Sequence, residues 1–275
     1  GRWGEVAVGA AAGLTVGLLG MLTDRVRRLL RIFEFLSGAI VASLAALAAS
    51  FMDGLHTDIV IVAGLIALLP TADRRDATRK LTIAVSEGAT RHLLSGASRF
   101  IGAAASLASI AFGVAAGSRL VGSFITTIPP SAIDPLSAPA QWIALFLAPT
   151  ALAVLFKASP RDIPAILCIA IPGFLTAREL GDTLGPELAA GTSAIIIGLA
   201  ANARAIIANR PVAVGVIPGL ILLVPGSIGF RSLAAFLEQQ TVQGLETAVL
   251  AVIIALAIAT GLLLANVLLP ARRDL

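Results

Sequence analysis

Long apolar runs separated by short polar stretches divide the chain. Val6 to Leu22 predicts a first membrane-spanning helix, with Gly9, Gly13 and Gly17 on one face, where small residues let another helix approach closely. The basic flank that follows (Arg25, Arg27, Arg28 and Arg31) and the lack of a small-residue cleavage site argue for an anchor over a signal peptide. Ile32 to Phe51 predicts a second span. Ile59 to Leu69 is apolar for only about half the ~30 Å of a bilayer core and is stopped by Pro70. Beyond the polar stretch 71–80, Leu81 to Phe100 carries Glu87, Arg91, Ser95 and Arg99 in one i, i+4 stripe, the pattern of an amphipathic helix. Ile101 to Leu120 is again long enough to span, with Gly102, Ser106, Gly113 and Gly117 as small contact residues.

Residues 124–140 hold Pro129, Pro130, Pro135 and Pro139 and read as a linker. It separates a first transmembrane half, 1–123, from a second, 141–275. Spans follow at Gln141 to Phe156, Ile163 to Leu180 and Leu188 to Ile207, the last preceded by Pro186 and Glu187, which mark a helix start. The apolar run Val212 to Ile228 contains two Pro-Gly pairs, Pro218-Gly219 and Pro225-Gly226, and these predict a broken helix. An amphipathic segment, 227–243, and a final span from Leu245 to Leu269 complete the half. In hydrocarbon, unpaired backbone groups are tolerated only where protein or a water-filled cavity receives them, so a broken helix implies a cavity. The run from Gly64 to Pro70 matches that from Gly219 to Pro225, and paired interrupted helices are the sequence mark of a transporter's binding site. The first half shows four spans to the second's five, so a helix ahead of Val6 is expected.

Composition and charge sharpen this picture. The apolar fraction is 57% and the charged fraction 13%, against roughly 25% charged in soluble domains. Mean hydropathy is +0.96. The chain therefore reads as an all-α integral membrane protein, about nine spans visible of ten, and the absence of period-two alternation excludes a β-barrel. A net charge of +4 raises nucleic acid as a partner, but the basic residues cluster in short loops, where arginine sets topology. Placing those loops inside leaves only Arg2, Arg119, Arg178 and Arg231 outside and gives a cytoplasmic C-terminus. The first interrupted helix then enters the cytoplasm where the second leaves it, so the halves form inverted-topology repeats. Cys168 alone cannot form an internal disulfide, and with His56 and His92 it makes no Cys/His metal site.

Several of these residues resemble the threonine/serine exporter family. In the first half they are the run Leu81 to Ala84, Glu87, the run Ala89 to Leu93, Ser95, Gly96 and Arg99; in the second, the run Gly185 to Ala189, Ile217 to Gly219, Leu223 to Ser227, and Phe230 to Leu233. The resemblance covers nearly the whole chain. It implies a ten-helix carrier of the bacterial plasma (inner) membrane that exports threonine and serine under the proton motive force. Two departures stand out. Family members often carry a soluble region before the first helix, which the few residues ahead of Val6 do not supply, and Pro70-Thr71 with a charged stretch stands where the family has Pro-Gly.

A zwitterionic amino acid needs donors for its carboxylate and acceptors for its ammonium group, which half-helix ends and freed carbonyls supply. The candidate substrate-binding residues are therefore Pro70, Pro218, Gly219, Pro225 and Gly226, with Ser95, Asn202 or Ser227 for a substrate hydroxyl and Arg231 for the carboxylate. Proton coupling needs a titratable group in a shielded place. Glu87 and His92 are the first candidates, Glu34 and Glu187 the reserves. The partners are a small amino-acid substrate, protons and the lipid bilayer, with a homo-oligomer left open and no cofactor, metal or nucleic acid. The alternatives are a channel for small metabolites, an intramembrane enzyme acting on a lipid-linked substrate, and a structural membrane subunit. The enzyme lacks a G-x-S-x-G elbow, an H-E-x-x-H motif or an Asp/His cluster.

Overall fold

A computed structural model describes residues 3–26, 29–52, 55–66, 93–123, 138–208, 211–223, 228, 232, 235–236 and 239–270. Among these the regular structure is helical. The α-helices are α1 (Trp3–Arg25), α2 (Phe33–Phe51), α3 (Thr57–Ile66), α4 (Leu93–Gly122), α5 (Ala138–Leu155), α6 (Ile163–Leu184), α7 (Pro186–Ala208), α8 (Ala213–Leu223) and α9 (Thr241–Leu268). Six apolar stretches within the described residues are long enough to cross a membrane: Trp3–Thr23, Leu29–Phe51, Ala105–Gly122, Pro160–Leu184, Pro186–Ala208 and Thr241–Leu268. Leu14, Leu18, Phe112, Phe146, Leu147 and Leu256 are all exposed, which is the surface a bilayer solvates.

The apolar runs found along the chain become helices with small shifts at their ends. One boundary is absent: α4 is continuous from Leu93 to Gly122, so Leu93 to Phe100 and the following span are a single rod rather than two helices. At 1.5 Å per residue the rod is about 45 Å long, more than a bilayer core requires. The predicted start at Pro186 is met, because Gly185 takes φ +85° and reverses the chain between α6 and α7, with proline in the first turn beyond it.

The contacts divide the chain into two units. In the first, α1, α2 and α3 pack on one another around Ala12, Val16, Val41, Ala45 and Val60. α4 joins α2 through glycine. A methyl group on Gly113 or Gly117 would run into the backbone of Phe35 or Ala39, and one on Gly38 would meet the Ile110 carbonyl oxygen at 2.5 Å. Helices in hydrocarbon gain little from apolar burial and hold together by such close backbone approach. Of the other small residues in the sequence pattern, Gly9 lies 3.2 Å from Ala63 by the same measure, whereas Gly17 and Gly102 face open space.

In the second unit α6, α7 and α8 pack around Ile169, Ala194, Ile197, Ala201 and Val216. α9 lies against α7, where Gly261 abuts the Gly191 carbonyl and Gly198 faces Ala265. Asp162, at the start of α6, pairs with Arg204 in the last turns of α7, and both side chains are largely buried. Negative charge at a helix N-terminus and positive charge near a C-terminus complement the two helix dipoles.

Two predictions follow from this packing. Gly113→Leu should destabilise the protein by about 1–3 kcal/mol or more through overpacking, measured as a fall in thermal midpoint in detergent, while Gly102→Leu should leave that midpoint unchanged. Asp162→Asn should cost about 3–5 kcal/mol by stranding the Arg204 charge, and the double variant Asp162→Leu with Arg204→Met should be the milder lesion in the same assay.

Candidate functional site

The two short helices carry the geometry of interest. α3 has ten residues and α8 eleven, so each rises only about 15–17 Å, half a bilayer core. Each packs on a pair of longer helices. A methyl group on Gly64 of α3 would lie 2.9 Å from Val41 of α2 and 3.0 Å from Ala12 of α1. One on Gly215 of α8 would lie 2.5 Å from Ile169 of α6 and 3.5 Å from Ala201 of α7. Both short helices thus sit against neighbouring side chains in a space that glycine leaves open.

The first Pro-Gly pair does not break its helix, contrary to the sequence expectation. α8 runs through Pro218 and Gly219 to Leu223, and both residues are buried. The physical reason is close packing: a methyl group on Gly219 would lie 3.1 Å from Ile197, so the pair fits α8 onto α7 instead of baring backbone to a cavity. Proline still removes the donor for the carbonyl four residues back, that of Val214. The second pair, Pro225 and Gly226, lies outside the described residues, as do Pro70, Glu87, His92, Ser227 and Arg231. Ser95 falls in the first turn of α4, with its side chain outside the description.

The remaining candidates are placed. Glu34, in the first turn of α2, accepts a hydrogen bond from the Ser106 hydroxyl of α4 at 2.7 Å, which fastens the two helices at one end. Glu187, half-buried, stands in the first turn of α7. Asn202 is fully buried, and its amide donates to Asn266 Oδ1 at 2.8 Å and to the Leu269 carbonyl at 2.9 Å. That side chain ties α7 to the end of α9, and only its oxygen is without a partner among the described residues. The candidates are thus dispersed: Glu34 belongs to the first unit, and Asn202, Pro218, Gly219 and Glu187 to the second.

Sequence reasoning missed one buried polar constellation. Glu5 is 4% exposed and His56 9% exposed. Glu5 Oε1 lies 2.7 Å from His56 Nδ1 and also accepts the His56 backbone N–H at 3.3 Å. The pair joins the start of α1 to the residue preceding α3. His56 drew attention only as a metal ligand, and Glu5 stands one residue ahead of the first apolar run. An ionisable residue at the threshold of an apolar helix was the available signal, since such groups are costly in a membrane unless paired.

Two family models match the chain: "Putative threonine/serine exporter" over residues 1–121 and "Threonine/Serine exporter, ThrE" over residues 141–268. No curated protein and no solved structure matches. The matches follow one another in the order expected from the resemblance and overlap every described helix. With its apolar helices and these two matches, the chain belongs to the threonine/serine exporter family and is a multi-pass membrane transporter of small molecules.

Proposed function

We propose that this chain is a secondary carrier that exports small hydroxy amino acids, threonine or serine, across the bacterial plasma membrane, driven by the proton motive force. Its two halves, 1–123 and 141–275, are inverted-topology repeats, and the C-terminus is cytoplasmic. The observation that carries the reading is the equivalence of the two units' buried faces. Phe33, Ser37, Gly38, Val41, Ala42, Ala45 and Ala46 of α2 map at one constant offset onto Ala189, Ser193, Ala194, Ile197, Gly198, Ala201 and Asn202 of α7, and all are buried. Val60, Ile61 and Gly64 of α3 map onto Gly215, Val216 and Gly219 of α8 at an offset shorter by one residue. Ser37 and Ser193, equivalent by the α2-to-α7 offset, both bury a hydroxyl without a partner among the described residues. Residues 122–140, between the two family matches, overlap the proline-rich linker.

In this reading each unit's short helix, α3 or α8, offers acceptors at its carbonyl end for an ammonium group. The last turn of any helix has acceptors without intrahelical donors, and its dipole is negative there. Pro218 adds the freed Val214 carbonyl in the second unit. Side chains from the interrupted stretches, Ser95, Ser227 and Arg231, complete the site, and Glu87 and His92 carry the proton, with Glu34 and Glu187 in reserve. The exporter models speak for transport over the enzyme reading. A channel is the reading that the flux experiment separates.

Proteoliposomes loaded with threonine or serine should release them saturably, and faster under an imposed pH gradient than without one. Unsaturable, gradient-independent release would mean a channel. Glu87→Gln should abolish gradient dependence while leaving substrate binding, read by equilibrium dialysis, within about twofold of the parent, a difference of ~0.4 kcal/mol.

A further inference from the structure

The exporter reading leaves one buried, titratable constellation unused. Glu5 and His56 are held together inside the first unit at the end where α1 and α3 begin. Buried Leu55 adjoins the pair in sequence, and Met52, at the end of α2, lies over Gly4 beside Glu5. The elements packed around it bring few other charges among the described residues. Asp58 on α3 is exposed, Arg119 in the last turn of α4 is exposed, and α2 ends at this side in Phe51 and Met52. Glu34 lies at the opposite end of α2.

The second unit also has a buried polar tie, between the start of α6 and the last turns of α7, and its chemistry differs. There Asp162, at the start of α6, pairs with Arg204. That tie joins a guanidinium to a carboxylate and contains no imidazole. An imidazole titrates between about pH 5 and 8, and with a carboxylate at hydrogen-bonding distance the two groups titrate as one unit. Of the two buried polar pairs only Glu5–His56 contains an imidazole, the side chain whose ordinary titration falls near neutrality.

We infer that the Glu5–His56 pair is a proton-binding site of the first unit. It takes up one proton from the aqueous side at which α1 and α3 begin, changing the charge of the pair by one unit against the N-terminus of α3. That helix is about 15 Å long, so a proton bound at its start and a substrate bound at its far end act on the same short rigid body. Proton uptake alters the tie between α1 and α3 and biases the position of α3. The role in coupling rests on the carrier reading above. The existence of the site does not.

The experiment uses the full chain in proteoliposomes. Infrared difference spectra between pH 8 and pH 5.5 should contain carboxylate and imidazole bands that are lost in both Glu5→Gln and His56→Gln. Glu5→Gln keeps an acceptor oxygen for the His56 backbone, so a folding defect in one variant leaves the other informative. In parallel, threonine efflux should depend on the pH of the side facing the pair in the parent and become flat with pH in His56→Gln while remaining saturable. Bands that survive in both variants would overturn the site, and gradient-driven efflux with an unchanged pH profile in both would overturn its role in coupling. Bands lost in the variants together with unsaturable, pH-independent threonine release from the parent would support the site and remove the carrier reading.

Discussion

A bilayer offers no water to the peptide group, and the fold follows from that one deficit. Each N–H and C=O within hydrocarbon must find its partner inside a helix or against protein, because an orphan costs several kcal/mol. The long helices meet the demand alone, over 23 residues in α1 and 28 in α9. α3 and α8, described over ten and eleven residues, account for only about half of such a span. Any carbonyl left without an intrahelical donor there must be received by something other than lipid. Each unit responds by pressing its short helix onto two long ones through glycine, at Gly64 in one case and at Gly215 and Gly219 in the other.

Close approach of this kind is also what holds the units together. With lipid as apolar as leucine, dispersion and backbone contact replace the hydrophobic effect between helices. Gly38, Gly113 and Gly117 join α2 to α4, and Gly191, Gly198 and Gly261 join α7 to α9. Buried polar ties then fix the helix ends: Glu5 with His56, Glu34 with Ser106, Asp162 with Arg204, and Asn202 with Asn266. A membrane interior makes each tie costly to break and so specific about which ends meet.

Much of the fold was legible because membrane spans are written as composition. Val6 to Leu22 and Leu245 to Leu269 locate α1 and α9 within a few residues, and Pro186 with Glu187 locates the start of α7. Finer features were harder. Pro218-Gly219 carries the same letters as a helix break, yet it packs α8 onto Ile197, a contact that depends on a residue of the preceding helix. The stripe through Ser95 and Arg99 suggested a separate amphipathic helix, because a polar face looks alike whether its helix stops or continues into the span. Of the site candidates, Asn202 was found for its polarity in an apolar run, but its amide proves to be committed to α9. Glu5 and His56 stand far apart in sequence and meet only through the packing of α1 on α3. No local pattern announces such a pair.

The central claim is that α3 and α8 each end in a solvent-lined space at mid-bilayer. It is most directly tested by placing single cysteines at Leu65, Leu222 and, as a lipid-facing control, Leu256, in a chain carrying Cys168→Ser, and measuring labelling by a membrane-impermeant thiol reagent. The account predicts labelling at both helix ends, slowed by threonine or serine, and none at the control. Labelling at neither end, as unreactive as the control, would contradict it.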